Sequence, residues 1–203
     1  MVAQKTIQSC GGGSIPTSPH QILIREGRFS EFRDLLRDYH YKSNKIGGGI
    51  SHHLVLEYNN KIYGGIVIGK MRHAKNYDEK AVELRRMVLH PDCPKNTASY
   101  FLSKTIWWLK NNTDISIVFT FADQTVGHVG TCYKGANFKF VKETSPTMHV
   151  LWKGLRYHPR SLTIDRPYSY KMRDAVKTGE AIVEKGKPKI LYKYNIKRSS
   201  QTD

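Results

Sequence analysis

The chain predicts an α/β fold, a mixed sheet with helices on both faces, and three observations predict it. Short apolar runs of strand length recur along it. Two longer stretches carry apolar residues at helical spacing. The two kinds of segment interleave rather than segregate, which favours one sheet with helices packed on it. At 203 residues and 39% hydrophobic content the chain has material for one domain with a sizeable core.

Residues 1–20 are rich in Gly, Ser, Pro and Thr and read as a flexible N-terminal segment. "QILIRE" is a first strand. In "RFSEFRDLLRDYHY", Phe29, Phe32, Leu35, Leu36 and Tyr39 fall on one helical face. "SNKIGGGI" breaks that helix. "HHLVLEY" and "KIYGGIVIG" flank Asn59 and Asn60, a pair suited to a tight hairpin. "AVELRRMVL" is a further strand, and "HPDCPKN" is a turn with two prolines. In "TASYFLSKTIWWLKNN", Ala98, Phe101, Leu102, Thr105, Ile106 and Leu109 form one apolar stripe of an amphipathic helix. "ISIVFTFA" is a buried strand, "VGHVGTCYKGA" a short helix, and "FKFVKE" with "TMHVLWKG" a closing strand pair. Past residue 155 the pattern weakens, which divides the chain into a domain over 21–160 and a basic C-terminal extension over 161–203.

Charge narrows the partners. Lys and Arg number 33 against 17 Asp and Glu, a net +16. Such an excess calls for an anionic partner, with nucleic acid first. No basic amphipathic helix points to a membrane surface. Residues 151–203 hold half the excess, 13 cations against 5 anions. There "KPKILYKYNIKR" interleaves cations with Tyr192 and Tyr194, which suits phosphates and stacked bases; an edge strand guarded by lysines has the same pattern. Cys10, Cys93 and Cys132 are odd in number and widely spaced, as in a reducing cytoplasm. The N-terminus has no apolar core of a signal peptide, and no run reaches transmembrane length. His52 and His53 are adjacent on a strand and face opposite ways, so they do not converge on one metal. No zinc spacing is present and no metal site is expected; iron held by residues distant in sequence stays open.

The element order resembles the GNAT N-acyltransferase fold, in which two parallel central strands splay and the reaction runs in the gap. "YHYKS", "ELRRMVLHPDCPKNTAS" and "FADQTVGHVGTCYKGANF", in that order, resemble the Mom family of phage DNA-modification proteins. The resemblance covers roughly residues 22–160. It implies a host-cytoplasmic enzyme that converts the exocyclic N6 amine of adenine in double-stranded DNA to a carbamoylmethyl (acetamido) derivative, protecting DNA from restriction. By motif position it implies that Tyr41, Arg86, Ser99, Asp123 and Tyr133 line the active site, with Lys95, Asn96 and His128 near the donor or its phosphates. Where a typical GNAT protein has a glycine-rich loop for the CoA pyrophosphate, this chain has "CPKNTAS", without glycine. Acetyl-CoA and glycyl-tRNA are therefore rival donors; a glycyl group has the atoms of a carbamoylmethyl group, rearranged. An ordinary N-acyltransferase on a small amine or protein, and a catalytically dead scaffold that binds nucleic acid, are the alternatives.

Each candidate also has a plain structural role. Asp123, between a strand and a helix, suits an N-cap as well as a proton acceptor for the weakly nucleophilic adenine amine. Arg86, on a central strand opposite in face to Arg85, suits an ion pair with Glu83 or Asp123 as well as a phosphate contact. Tyr133 and Tyr41 suit core packing, an acid toward the leaving group, or stacking on a flipped base. Ser99 suits helix initiation. Gly127 and Gly130 suit a smooth helix face open to close approach.

Overall fold

The computed structural model describes residues 15–41, 46, 49–71 and 78–198. Residues 1–14 of the expected flexible segment, and most of the glycine-rich break after the first helix, lie outside the described residues. From Pro19 to Gln21 the N-terminal segment is a short 3₁₀ turn, capped reciprocally by Ser18 and Gln21.

The main sheet has seven strands. β1 (Leu23–Glu26), β2 (Ile50–Tyr58), β3 (Lys61–Lys70) and β4 (Ala81–Leu89) form an antiparallel meander. β5 (Ile117–Asp123) joins β4 in parallel. β10 (Lys189–Asn195) then lies between β5 and β6 (Lys139–Glu143), antiparallel to both. The order is β1-β2-β3-β4-β5-β10-β6. Asn59 and Asn60 both take positive φ, 48° and 59°, as the two-residue hairpin turn requires.

α1 (Phe29–Tyr39) covers β2, β3 and β4 on one face, where Phe32 and Leu36 pack with Val55, Val67 and Val88. It comes close because β3 carries Gly65: a Cβ there would sit 2.2 Å from the Phe32 ring. Glu31 fixes the helix start, accepting the Arg28 N–H at 2.6 Å and a bond from Arg25, which also pairs with Glu57. α2 (Thr97–Asn112) covers the other face, burying Phe101, Leu102, Thr105, Ile106 and Leu109 of the stripe its sequence predicts, with Thr97 rather than Ala98 buried in the first turn. His52 and His53 do face opposite ways: His52 lies against Trp108 of α2 and His53 against Phe29 and Phe32 of α1.

Three expectations are corrected. "FKFVKE" and "TMHVLWKG" do not pair. The first is edge strand β6 of the main sheet; the second supplies β7 (Met148–Trp152) of a separate three-stranded sheet, β8-β7-β9, with β8 (Leu155–Tyr157) and β9 (Ala181–Lys185). α4 (Arg160–Thr163) and α5 (Pro167–Thr178) accompany it, and Met172 and Ala175 pack on Val150 and Ala181. The segment 161–203 is also more than a basic extension, because it delivers β10 into the main sheet. Tyr192 is 1% exposed inside the core and Tyr194 packs against it, so neither Tyr192 base stacking nor a guarded edge describes this strand. Cations dominate the segment's composition, but apolar burial decides the placement: Ile190, Tyr192 and Tyr194 pack one face of the strand on the main core, and Leu191 packs the other against Ala81 and Phe119. Finally, "VGHVGTCYKGA" is not one helix. A 3₁₀ turn (Gln124–Val126) precedes α3 (Thr131–Gly135), and Gly127 and Gly130 between them take φ of +79° and +77°. Two left-handed residues cannot continue a right-handed helix.

Candidate active site

β4 and β5 pair only from Ala81–Ile117 to Leu84–Thr120. Beyond that register they part, and the gap between them opens toward Arg86 and Asp123. A register shift marks the place in β4: Val67 faces Arg86 and Ile68 faces Leu84, so Arg85 is passed over. This bulge overturns the simple alternation expected for the two arginines. Arg86 shares the α1 face with Val67. Arg85 is on that side too, its Nη2 donating to the Lys70 carbonyl at 2.6 Å while its guanidinium crowds Gly69. Arg86 Nη1 donates to the Arg85 carbonyl at 2.7 Å, which holds its side chain along the bulge.

Four side chains, from β4, β5, α3 and the segment after α1, lie near enough at the gap to influence one another electrostatically. Asp123 ends β5, 7% exposed. Its Oδ1 accepts the Thr125 N–H at 3.1 Å and its Oδ2 lies 4.0 Å from Lys189 Nζ, directly across the β5–β10 pair. Asp123 thus does cap the following turn, and one carboxylate oxygen serves that role. Tyr41 follows α1 and is 43% exposed, yet it is enclosed enough for desolvation to push its phenol above the ordinary tyrosine range. The Asp123 carboxylate and the Tyr133 phenol push it further up, and the Arg86 cation pulls it back. Those couplings place Tyr41, Asp123, Arg86 and Tyr133 in one electrostatic neighbourhood. Tyr133, on α3, packs on Phe138 and Tyr192, and its hydroxyl bonds Thr120 at the last paired register of the gap. Burial, its largest influence, pushes it up to about 12 against the lowering by Thr120. The Cys132 thiol beside it is also raised by burial, so it stays protonated at neutral pH.

One consequence is measurable. Folded Tyr133 holds its proton to about 12, whereas the unfolded phenol releases it near 10. Between those values the folded state binds more protons, so stability is full below the lower value and falls as pH rises. Melting temperatures followed from pH 8 to pH 11.5 are expected to drop more steeply above pH 10 in the native protein than in Tyr133→Phe. Parallel curves would mean that Tyr133 ionises freely.

Ser99, Lys95 and Asn96 lie elsewhere. They line a groove of about 320 Å³ at the start of α2, together with His20, Tyr100, Ser103 and Gly135. Ser99 Oγ donates to the Asn96 carbonyl at 3.0 Å, so its hydroxyl serves the helix start. Asn96 takes φ of +68°, the left-handed conformation that a glycine would supply, which is how a glycine-free "CPKNTAS" still makes the tight turn. α3 separates groove from gap, carrying Gly135 toward Ser99 and Tyr133 toward Thr120. His128 is not with Lys95 and Asn96; its ring meets Tyr41 edge-on at 5.3 Å, and His40 stacks on the same tyrosine.

Sequence reasoning missed Lys189 and His149. The imidazole of His149, on β7, has its pKa lowered by burial first and then by Arg156 and Lys189, with Asp123 and Glu184 opposing; just past β9 the Lys187 N–H reaches Thr125 Oγ1 at 3.1 Å, so the second sheet borders the β5–α3 loop. Among the described residues no three His, Cys, Asp or Glu side chains are grouped to hold a metal ion, and no helix is long and apolar enough to cross a membrane.

Parallel strands that part over a site, with helices on both faces, define this as a GNAT N-acyltransferase fold. It is similar to the ribosomal-protein-S18-alanine N-acetyltransferase of Escherichia coli (TM-score 0.53, 12% identity, 90% of this chain and 98% of that one). It is equally similar to an N-acetyltransferase of Staphylococcus aureus Mu50 (0.54, 12%, 87% and 99%) and to a Bacillus subtilis acetyltransferase solved in complex with CoA (0.53, 10%, 87% and 99%). Within that fold the chain belongs to the Mom protein family, which it matches over residues 21–200. Over 78 residues, 38% of its length, it is 33% identical to the methylcarbamoylase Mom of Escherichia phage Mu; the stretch is 32% of that protein, so the match spans about a third of the relative.

Proposed function

We propose that this chain is a phage DNA-modification transferase that places a carbamoylmethyl group on the N6 amine of adenine in duplex DNA, shielding that DNA from restriction. The observation that carries the reading is the meeting of Asp123, Arg86, Tyr41 and Tyr133 at the splayed gap in a member of the Mom family. The adenine amine is a poor nucleophile because its lone pair is delocalised into the ring. Asp123 accepts a proton from it as N6 bonds the donor's acyl carbon and the bond to the leaving group breaks; a glycyl donor leaves on N6 the atoms of a carbamoylmethyl group, and a later rearrangement sets them in that order. Arg86, held by the bulge, faces the negative charge that develops on the donor. Tyr133 keeps its proton at neutral pH, so it can donate one to the leaving group. The donor's anionic part lies in the groove of Lys95, Asn96 and Ser99, beside the N-terminus of a 16-residue helix. That groove accommodates phosphates of either a CoA or a tRNA donor.

Mass spectrometry of nucleosides from cells expressing the protein tests the reading. Deoxyadenosine heavier by a carbamoylmethyl group is expected; unmodified DNA beside folded, abundant protein overturns it. Acetylated adenine or acetylated protein would restore ordinary acetyl transfer. Purified protein given DNA with acetyl-CoA or glycyl-tRNA then separates the donors.

Duplex binding is expected to be steeply salt-dependent. Arg160, Arg166 and Lys171 of the second sheet's helical side are exposed, with no carboxylate within ion-pair distance among the described residues. Each phosphate neutralised contributes about −0.9 to the slope of log K against log salt. Reversing all three to Glu is expected to flatten that slope by about 2 to 3, read by fluorescence anisotropy across a salt series. An unchanged slope would move the phosphate contacts onto the main sheet. Charge reversal is the right probe, because removing the C-terminal segment would also remove β10.

A further inference from the structure

The loop between β5 and α3 is braced from several sides. The His128 N–H donates to the Asp123 carbonyl at 3.2 Å and the Gly127 N–H to that of Gln124 at 3.1 Å. The Lys187 N–H reaches across to Thr125 Oγ1 at 3.1 Å, and the Tyr192 hydroxyl donates to the Val129 carbonyl at 2.9 Å. Gly130 is clamped below: a Cβ there would stand 2.3 Å from the Tyr192 ring. Yet the crest of this rigid loop is apolar and faces solvent. Val129 is 53% exposed and Val126 36%, and Gly127 and His128 between them are exposed as well. Beside the crest stand His128, Tyr41 and His40, ring against ring. Single exposed valines are unremarkable on a surface. Two on a fixed crest, next to three rings and three residues from the buried Asp123, form a patch with a direction.

We propose that the Val126–Val129 crest is a wedge that enters the base stack of duplex DNA and fills the space left when the target adenine swings out toward Asp123. This rests on the adenine-modification reading above. The N6 amine is engaged in the Watson–Crick pair, so a duplex substrate has to surrender the base before chemistry. Unstacking is costly, and apolar side chains placed between base steps offset that cost. A wedge has to be stiff, since ordering a mobile loop on contact would consume the gain. The braces supply that stiffness. Exposed Lys187, and Lys189 at the site, place cations where the flanking phosphates would pass.

The test compares the native protein with the double variant Val126→Ser, Val129→Ser, whose positions are exposed enough for the fold to persist; a circular-dichroism melt verifies that. The first readout needs no donor. A duplex carrying 2-aminopurine in place of adenine brightens when the analogue leaves the stack. The native protein is expected to raise that fluorescence and the variant to lose most of the rise. The second readout is modification of one sequence supplied as duplex or as single strand. The variant is expected to lose about tenfold or more on the duplex while keeping its rate on the single strand, where no stack has to be opened. Equal loss on both substrates would make the crest part of the pocket wall and overturn the wedge, as would native-like fluorescence and duplex turnover in the variant. A native protein that brightens the duplex but modifies no adenine would sink the transfer reading and leave the wedge standing; no brightening by the native protein overturns the wedge itself.

Discussion

Asp123→Asn is expected to abolish adenine modification while leaving the fold and DNA affinity in place. Asparagine keeps the size of the side chain, and its carbonyl oxygen can still accept the Thr125 N–H that Asp123 Oδ1 accepts now at 3.1 Å. The cap therefore survives, and the stability loss should be about 1 kcal/mol or less. The amide cannot take a proton from the adenine amine, and losing a general base costs about 10² to 10⁴ in rate. Turnover measured by nucleoside mass spectrometry, with melting and anisotropy on the same preparation, separates the two roles. Near-normal turnover with a lowered melting temperature would leave Asp123 as a cap alone. Tyr133→Phe would then identify the proton-transfer group.

The largest stability effect is expected from Tyr192→Ala. Tyr192 is fully buried, packs on Tyr133, lies against Gly130 and holds the Val129 carbonyl. Truncating a buried aromatic side chain costs about 3 to 5 kcal/mol. In a chain of this length each kcal/mol lowers the melting temperature by about 2 to 4 °C. Tyr192→Phe keeps the ring and removes only the bond to Val129, so it should cost about 1 kcal/mol. Calorimetry of both variants decides between them. If Phe proved as damaging as Ala, the hydroxyl bond rather than the ring would hold the loop to the sheet.

Local pattern carried much of this architecture. The stripe on α2, the Asn59–Asn60 hairpin and the strand-like runs of β2 to β5 are written in neighbouring residues, where apolar period and turn chemistry agree. Asp123, Arg86, Tyr41 and Tyr133 were singled out through three short motifs, and in the fold they lie in one electrostatic neighbourhood. What escaped is non-local. Nothing near Lys189 announces that it will lie across from Asp123, because the β5–β10 pairing joins segments far apart in the chain. The bulge at Arg85 was hidden for a similar reason: it appears only when the register of β3 against β4 is known. Ser99 lies with Lys95 and Asn96, while His128, read both as a donor contact and as a partner of Asp123, lies by Tyr41 and Asp123, since adjacency to a motif does not reveal which side of α3 a residue will occupy.

The position of β10 has a further meaning for how the protein comes into being. Strands β1 to β5 leave the ribosome and can pair in order, but the outer side of β5 stays an open edge until residues 189–195 arrive. A nascent chain halted before that point has neither Lys189 beside Asp123 nor Tyr192 beneath the β5–α3 loop. Its β5 edge also offers unpaired N–H and C=O groups to other chains, a route to aggregation. Bracing of the gap is thereby tied to the synthesis of β10. Copies halted earlier carry the motif residues without the strand that braces them.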